Sequence, residues 1–237
     1  MDVITEISPL DEMFDLDLES YLAKGEEALR LISLAAQAAP RDGFARILDL
    51  PCGYGRVLRH LRVAYPKADI TACDIQREGV DFCAEKLGAR PVYRADDLEG
   101  EFDLIWCGSL LTHLPLESWR GWLDLFEAHL APYGVLVFTV QGRRVFYLLD
   151  KGVEDHGVDP KRLLADYAAQ GSGYENYPGQ DGYGFSLTSP SYVCSLIEDR
   201  PGLRLLLYRE MAWNHFQDAV ACLAAPIDRI FRVDPKD

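Results

Sequence analysis

The sequence predicts an α/β protein, a doubly wound and mostly parallel sheet with helices on both faces, closed by a C-terminal antiparallel pair of strands. Three observations carry this. Short apolar, β-favouring runs alternate with amphipathic helical segments between positions 44 and 140. The first run ends in a glycine-containing turn that restarts as a helix, ILDLPCGYGRVLRHLR over 47–62. Two later strand-type runs, 203–211 and 219–224, are joined by only a short turn, which makes them antiparallel.

The elements follow in order. A helix over 18–39 has Leu22, Leu29, Ile32 and Ala36 at helical spacing and stops before Pro40. A first strand over 44–50 leads into the turn Pro51-Cys52-Gly53-Tyr54-Gly55 and a helix with Val57, Leu58 and Leu61 on one face. Strand 69–73 ends at Asp74, helix 78–87 closes at Gly88, and a short strand over 90–94 precedes the acidic loop Asp96-Asp97-Leu98. Strand 101–107 opens into a loop carrying His113. Helix 116–130 repeats Trp119, Leu123 and Phe126, which read as core, and 135–140 is a buried central strand. From 141 to 189 the chain turns Gly- and Tyr-rich, with a short helix at 160–170; a segment of this length interrupting a sheet reads as a lid or binding insert. Ser189 caps a last helix over 190–199.

At 237 residues and 49% hydrophobic, the chain can bury one substantial core. The expected division is a single domain made of an N-terminal helical cover (1–43), a ligand-binding half (44–140), the insert (141–189) and a C-terminal helix with its strand pair (190–237). A formal net charge of -14 lacks the basic footprint that nucleic acid or an anionic membrane surface requires, and it suits a cationic ligand. Six cysteines show neither CxxC nor zinc spacing and read as reduced thiols. With no leader-type N-terminus and no bilayer-length apolar run, a soluble cytoplasmic protein is expected.

A strand, a glycine turn and a helix N-terminus bring backbone N–H groups close to a ligand. The dinucleotide fingerprint Gly-x-Gly-x-x-Gly is incomplete, because Leu58 occupies the third position. Asp49-Leu50-Pro51-Cys52-Gly53-Tyr54-Gly55 instead resembles motif I of the class I S-adenosylmethionine-dependent methyltransferases, a Rossmann-like family, with Pro51 in place of the first glycine. The resemblance implies S-adenosyl-L-methionine as cofactor, held by Asp49, Pro51, Gly53 and Gly55. It also implies Asp74 on the ribose hydroxyls, Ile75 against the adenine, and Asp97-Leu98, with Asp96 as rival, at the adenine amino edge. The resemblance further implies that Cys107 is a cofactor-binding residue, at the strand end where the family brings the methyl to its acceptor. Tyr21 or Gly25 of the first helix covers the cofactor in this reading.

The implied reaction is methylation of a small-molecule acceptor, at a sugar or natural-product hydroxyl, without a metal. His113 is the candidate base; Asp218 and His215 are reserves. Trp213, Gln217 and Asp218 also match a Trp-x-x-His-Gln-Asp pattern of some small-molecule methyltransferases, with His215 one place early, which turns a side chain to the opposite face in extended chain. Tyr174, Tyr177, Tyr183 and Phe185 of the insert are expected to line the acceptor site, and a homodimer contact through the insert is a further reading. The rivals are an NAD-dependent oxidoreductase and a catalytically inactive binding protein of the same fold.

Overall fold

The structure, a computed structural model, describes residues 2–41 and 43–225. Of the expected segments 1–43 and 190–237, positions 1, 42 and 226–237 lie outside the described residues. Helix α1 (Leu18–Ala38) starts at Asp17, whose side chain accepts from the Glu19 N–H, and buries Tyr21, Ala28, Ile32 and Ala35. The sheet elements then alternate with helices: β1 (Arg46–Asp49), α2 (Leu58–Ala64), β2 (Asp69–Cys73), α3 (Arg77–Leu87), β3 (Arg90–Val92), β4 (Phe102–Cys107), α4 (Leu116–His129) and β5 (Leu130–Val140). The insert folds as α5 (Arg143–Asp150), α6 (Pro160–Gln170) and the hairpin β6 (Ser172–Asn176) and β7 (Gly184–Thr188). The chain ends with α7 (Pro190–Glu198), β8 (Leu203–Trp213) and β9 (Gln217–Ala224).

Seven strands form one sheet in the order β3-β2-β1-β4-β5-β9-β8, parallel as far as β5 and antiparallel for β9 and β8. Strand order reverses between β1 and β4, which opens a crevice at their carboxyl ends, where sheets of this kind take their ligands.

The pleat sorts neighbouring residues to opposite layers. Ile47, Ile70, Leu104, Val135 and Val137 pack under α1, α2 and α3, whereas Leu48, Ile105, Leu136 and Phe138 pack under α4 and α7. Burying each such side chain stabilises the fold by roughly 1.5–3 kcal/mol. A one-residue slip of any strand would reverse its two faces, so the register is firmly specified. Asp103 pins the start of β1 to β4 by accepting from the Ala45 and Arg46 N–H groups, both at 2.9 Å, and from Arg41 at 2.6 Å.

Three elements depart from expectation. Strand β5 begins at Leu130, not 135, because a register shift between Phe102 and Leu104 of β4 absorbs the Pro132-Tyr133-Gly134 irregularity. Residues Trp213 and Gln217 belong to strands, with the turn shortened to the three residues between them. The insert is ordered around a small core of its own, in which Val145, Leu149, Val158, Leu163, Phe185 and Leu187 meet. No sequence period announces that core, since its members come from four separate segments.

Candidate functional site

A cavity of about 520 Å³ opens at the switch between β1 and β4, under the N-terminal segment and beside the insert. Its floor is the turn after β1. The Asp74 carboxylate ties this turn to the end of β2 by accepting from the Gly53 and Gln76 N–H groups, both at 2.9 Å. Gly55 is required for packing: with φ at +75°, its added Cβ would lie 2.4 Å from Leu87 Cδ1 of α3. Pro51 follows a cis peptide bond and lines the cavity, with no N–H to donate.

Asp49 ends β1 on the cavity wall, only 1% exposed, and neither carboxylate oxygen has a hydrogen-bond partner. Burial holds its pKa well above the usual carboxylate range; the nearby Asp74 charge adds to this, and Arg56 and the Leu58 amide only partly oppose it. Arg56 lines the same cavity. Its guanidinium lies 5.5 Å from the Trp213 ring centroid and 5.9 Å from that of Tyr21. Burial lowers its pKa, and the acids around it act through space rather than by hydrogen bonding.

The roof comes from the N-terminal segment. Tyr21 of α1 donates to Asp11 at 2.6 Å, and both line the cavity. Buried Arg59 fastens roof to floor: it donates to the Ile4 and Glu6 carbonyls on one side and to those of Tyr54 and Gly55 on the other, at 2.8 to 3.2 Å.

The far wall belongs to the β4 loop and the insert. His113 Nδ1 lies 3.0 Å from the Tyr177 hydroxyl and 3.1 Å from the Gly184 carbonyl. A carbonyl only accepts, so Nδ1 carries the proton and Nε2 the lone pair. Burial lowers the His113 pKa, and the Gly184 bond opposes this in part. The ring stacks on Tyr183 at 5.2 Å between centroids, while burial pushes the Tyr177 hydroxyl up to about 12. Beside them, His156 stacks on Phe185 at 4.8 Å, its Nε2 at 2.9 Å from Glu154 but out of line for a hydrogen bond. Gln141 and Gln217 complete the wall.

Of the residues singled out by sequence, Asp49, Pro51, Gly53, Asp74, Ile75, His113, Tyr177, Tyr183 and Tyr21 thus converge on one cavity. Others stand apart from it. Leu98 is packed in the core, and its N–H is already donated to the Ala95 carbonyl. Asp97 lines a separate surface cleft with Arg90 and Tyr93. Cys107 is wholly buried in the α4 layer. Tyr174 lines another cleft, of about 310 Å³, with its hydroxyl donated to Asn176 at 2.6 Å. Asp218 is buried behind the wall, accepting from Tyr208 at 3.0 Å and the Met211 N–H at 2.9 Å. His215 is exposed in the β8–β9 turn. Asp11, Arg56, Gln141 and His156 are site residues that sequence reasoning misses; only Arg56, adjacent to the glycine turn, carries a local signal.

The family model described as a methyltransferase domain matches residues 20–193. Among solved structures, the plantazolicin methyltransferase BpumL in complex with SAH is 14% identical with a TM-score of 0.60, covering 87% of this chain and 86% of that chain. An S-adenosylmethionine-dependent methyltransferase from Clostridium acetobutylicum is 16% identical with a TM-score of 0.57, covering 89% and 93%. Human N-acetylserotonin methyltransferase in complex with SAM is 17% identical with a TM-score of 0.56, covering 87% of this chain and 53% of that chain. At these identities the likeness is one of fold. An uncharacterized protein of Synechococcus sp. is 38% identical over 112 residues, which is 41% of this chain and 26% of that relative, so the chain spans about a quarter of its length.

Proposed function

This chain belongs to the methyltransferase-domain family, and on that premise we propose that it methylates a hydroxyl of a small molecule with S-adenosylmethionine as donor. The observation that carries the cofactor is a pair of polar groups on one wall: the buried carboxyl of Asp49, whose oxygens have no hydrogen-bond partner, and the guanidinium of Arg56, which no acid hydrogen-bonds. Burying a polar group without a partner is costly, and an ammonium beside Asp49 would favour its ionised form again, so each group calls for a complement. The amino-acid tail of S-adenosylmethionine supplies both, an ammonium for Asp49 and a carboxylate for Arg56. A nicotinamide dinucleotide offers a pyrophosphate to Arg56 but no ammonium to donate to Asp49. Asp74 sits at the end of β2 with lone pairs to spare for ribose hydroxyls, and Ile75, 89% exposed at the mouth, offers an apolar face to the adenine.

When bound, the cofactor supplies a methyl group on a sulfonium, already joined to a good leaving group. The chain's own residues then have three tasks: to hold the acceptor in line, to exclude water and to take a proton. His113 takes the proton at Nε2, its neutral tautomer set by the Gly184 carbonyl. Asp11 and Tyr21 cover the cavity on the side of the N-terminal segment.

Calorimetry with S-adenosylhomocysteine tests the reading on the wild type and on Asp74→Ala. Binding to the wild type that weakens at least tenfold in the variant is expected. Absence of binding to the wild type would overturn the proposal, and a fluorescence shift of NADH on mixing would replace it with the oxidoreductase reading.

A further inference from the structure

The charged groups of the cavity are unevenly placed. Asp49, Asp74 and Arg56 stand on the β1 and β2 turns, and Asp11 in the roof beside them. Among the described lining residues, the half built by the β4 loop, the insert and the start of β9 has no carboxylate, lysine or arginine; burial also lowers the pKa of its two imidazoles, His113 and His156, which keeps them neutral at pH 7. What this half does have is unpartnered acceptors among aromatic rings. Gln141 is 3% exposed and its Oε1 has no partner. The Oε1 of Gln217 is likewise unpartnered, and its amide is oriented by a 2.7 Å bond from Nε2 to Ser109 Oγ. Two stacked ring pairs, His113 with Tyr183 and His156 with Phe185, line the same cavity.

Resting on the methyltransferase reading, we infer that this half of the cavity is the acceptor subsite and that it takes an uncharged aromatic ring carrying at least two hydroxyl groups. The unpartnered amide oxygens demand donors from the ligand, because a buried acceptor left empty costs free energy. The stacked rings favour a flat partner. A carboxylate or phosphate would enter a subsite whose described lining has no cation, in the same cavity as Asp74 and in a chain of formal net charge -14, and would be rejected by desolvation and repulsion. A phenol also suits the base: it is a stronger acid than an aliphatic hydroxyl, and a neutral imidazole of lowered basicity can assist its ionisation. In the transfer, the phenolic oxygen forms a bond to the methyl carbon and the carbon–sulfur bond breaks, its electron pair returning to sulfur. The phenolic proton passes to His113 Nε2 and then to water.

The test is calorimetric titration of the protein, with and without saturating S-adenosylhomocysteine, using resorcinol, 3,5-dihydroxybenzoate and methyl β-D-glucopyranoside. Resorcinol is expected to bind at least about tenfold more tightly than either of the others, the equivalent of one satisfied hydrogen bond to an amide. Gln141→Leu and Gln217→Leu are each expected to weaken resorcinol about tenfold while leaving S-adenosylhomocysteine binding unchanged, which also certifies the fold. Equal or preferred binding of the benzoate or the glucoside overturns the inference. So does resorcinol binding that neither variant weakens. Failure of the wild type to bind S-adenosylhomocysteine while resorcinol still binds overturns the methyltransferase reading instead and leaves the subsite standing.

Discussion

The two halves of the cavity are made by opposite means. The half beneath the N-terminal segment is built from consecutive backbone: one turn after β1 and one acid after β2, with Asp74 holding the turn through the Gly53 N–H and its own loop through that of Gln76. The half beside the insert is built from side chains that the sequence scatters, His113, Gln141, His156, Tyr177, Tyr183 and Gln217, brought together by the fold. The first is a device of main-chain geometry and formal charge, and the second of shape and neutral polarity. The difference teaches that a shared donor needs a fixed cradle, whereas an acceptor site can be rewritten by changing side chains on a scaffold that stays put.

That contrast can be broken deliberately. The largest effect is expected from His113→Gln, which removes the base and leaves the cradle: kcat should fall roughly 10²-fold or more, with S-adenosylhomocysteine affinity unchanged by calorimetry. Loss of affinity along with rate would show that the two halves are not separable at this residue. The pH profile sharpens the same point. Because burial depresses the His113 pKa, the rate should be full at pH 7 and fall only as pH drops through a value below that of a free imidazole, about 6.5; a limb above 7 would contradict it.

A change to the cradle should do the reverse. The Cβ of Gly79→Ala would lie 2.5 Å from the Gly53 carbonyl oxygen, so the turn must shift, costing about 1–3 kcal/mol. Cofactor binding should weaken by about tenfold or more while resorcinol binding changes less than threefold. Both losing affinity together would mean that the halves form one cooperative unit. A further effect, on stability alone, is expected away from both halves. Asp103→Asn removes a charged acceptor from the Ala45 and Arg46 N–H groups and should cost about 2 kcal/mol in urea unfolding. Burial would raise the Asp103 pKa, but those N–H groups and Arg41 outweigh it and lower it. Its stabilisation is therefore complete above the unfolded value of about 3.9 and lost as pH falls below that through the folded pKa. The difference between wild type and variant should shrink in acid.

What could be read from the sequence follows the same division. The alternation of strands and helices, the turn and the acid at the end of β2 are local signals, so the residue pattern alone makes Asp49, Gly53 and Asp74 legible as neighbours. Strand ends are less so: β5 gains five residues because a bulge forgives a proline and a glycine, which propensity alone reads as a break. Gln141 carries no signal of its own, since a glutamine after a strand is ordinary until the fold buries it. His156 lies in a loop between two helices and becomes a wall residue only because Phe185, 29 positions later, stacks on it. Asp218 shows the converse. It falls in a suggestive pattern, yet the pairing of β8 with β9 turns it onto Tyr208 and behind the wall.

Arg59 has an evolutionary corollary. It grips the N-terminal segment and the turn through carbonyl oxygens alone, those of Ile4, Glu6, Tyr54 and Gly55. Every residue type presents the same carbonyl, so the latch is blind to which side chains positions 4 and 6 carry and sensitive only to how many residues separate them. Substitutions at positions 4 and 6 should leave this latch in place among related chains, while an insertion or deletion there would unlatch the roof at a stroke.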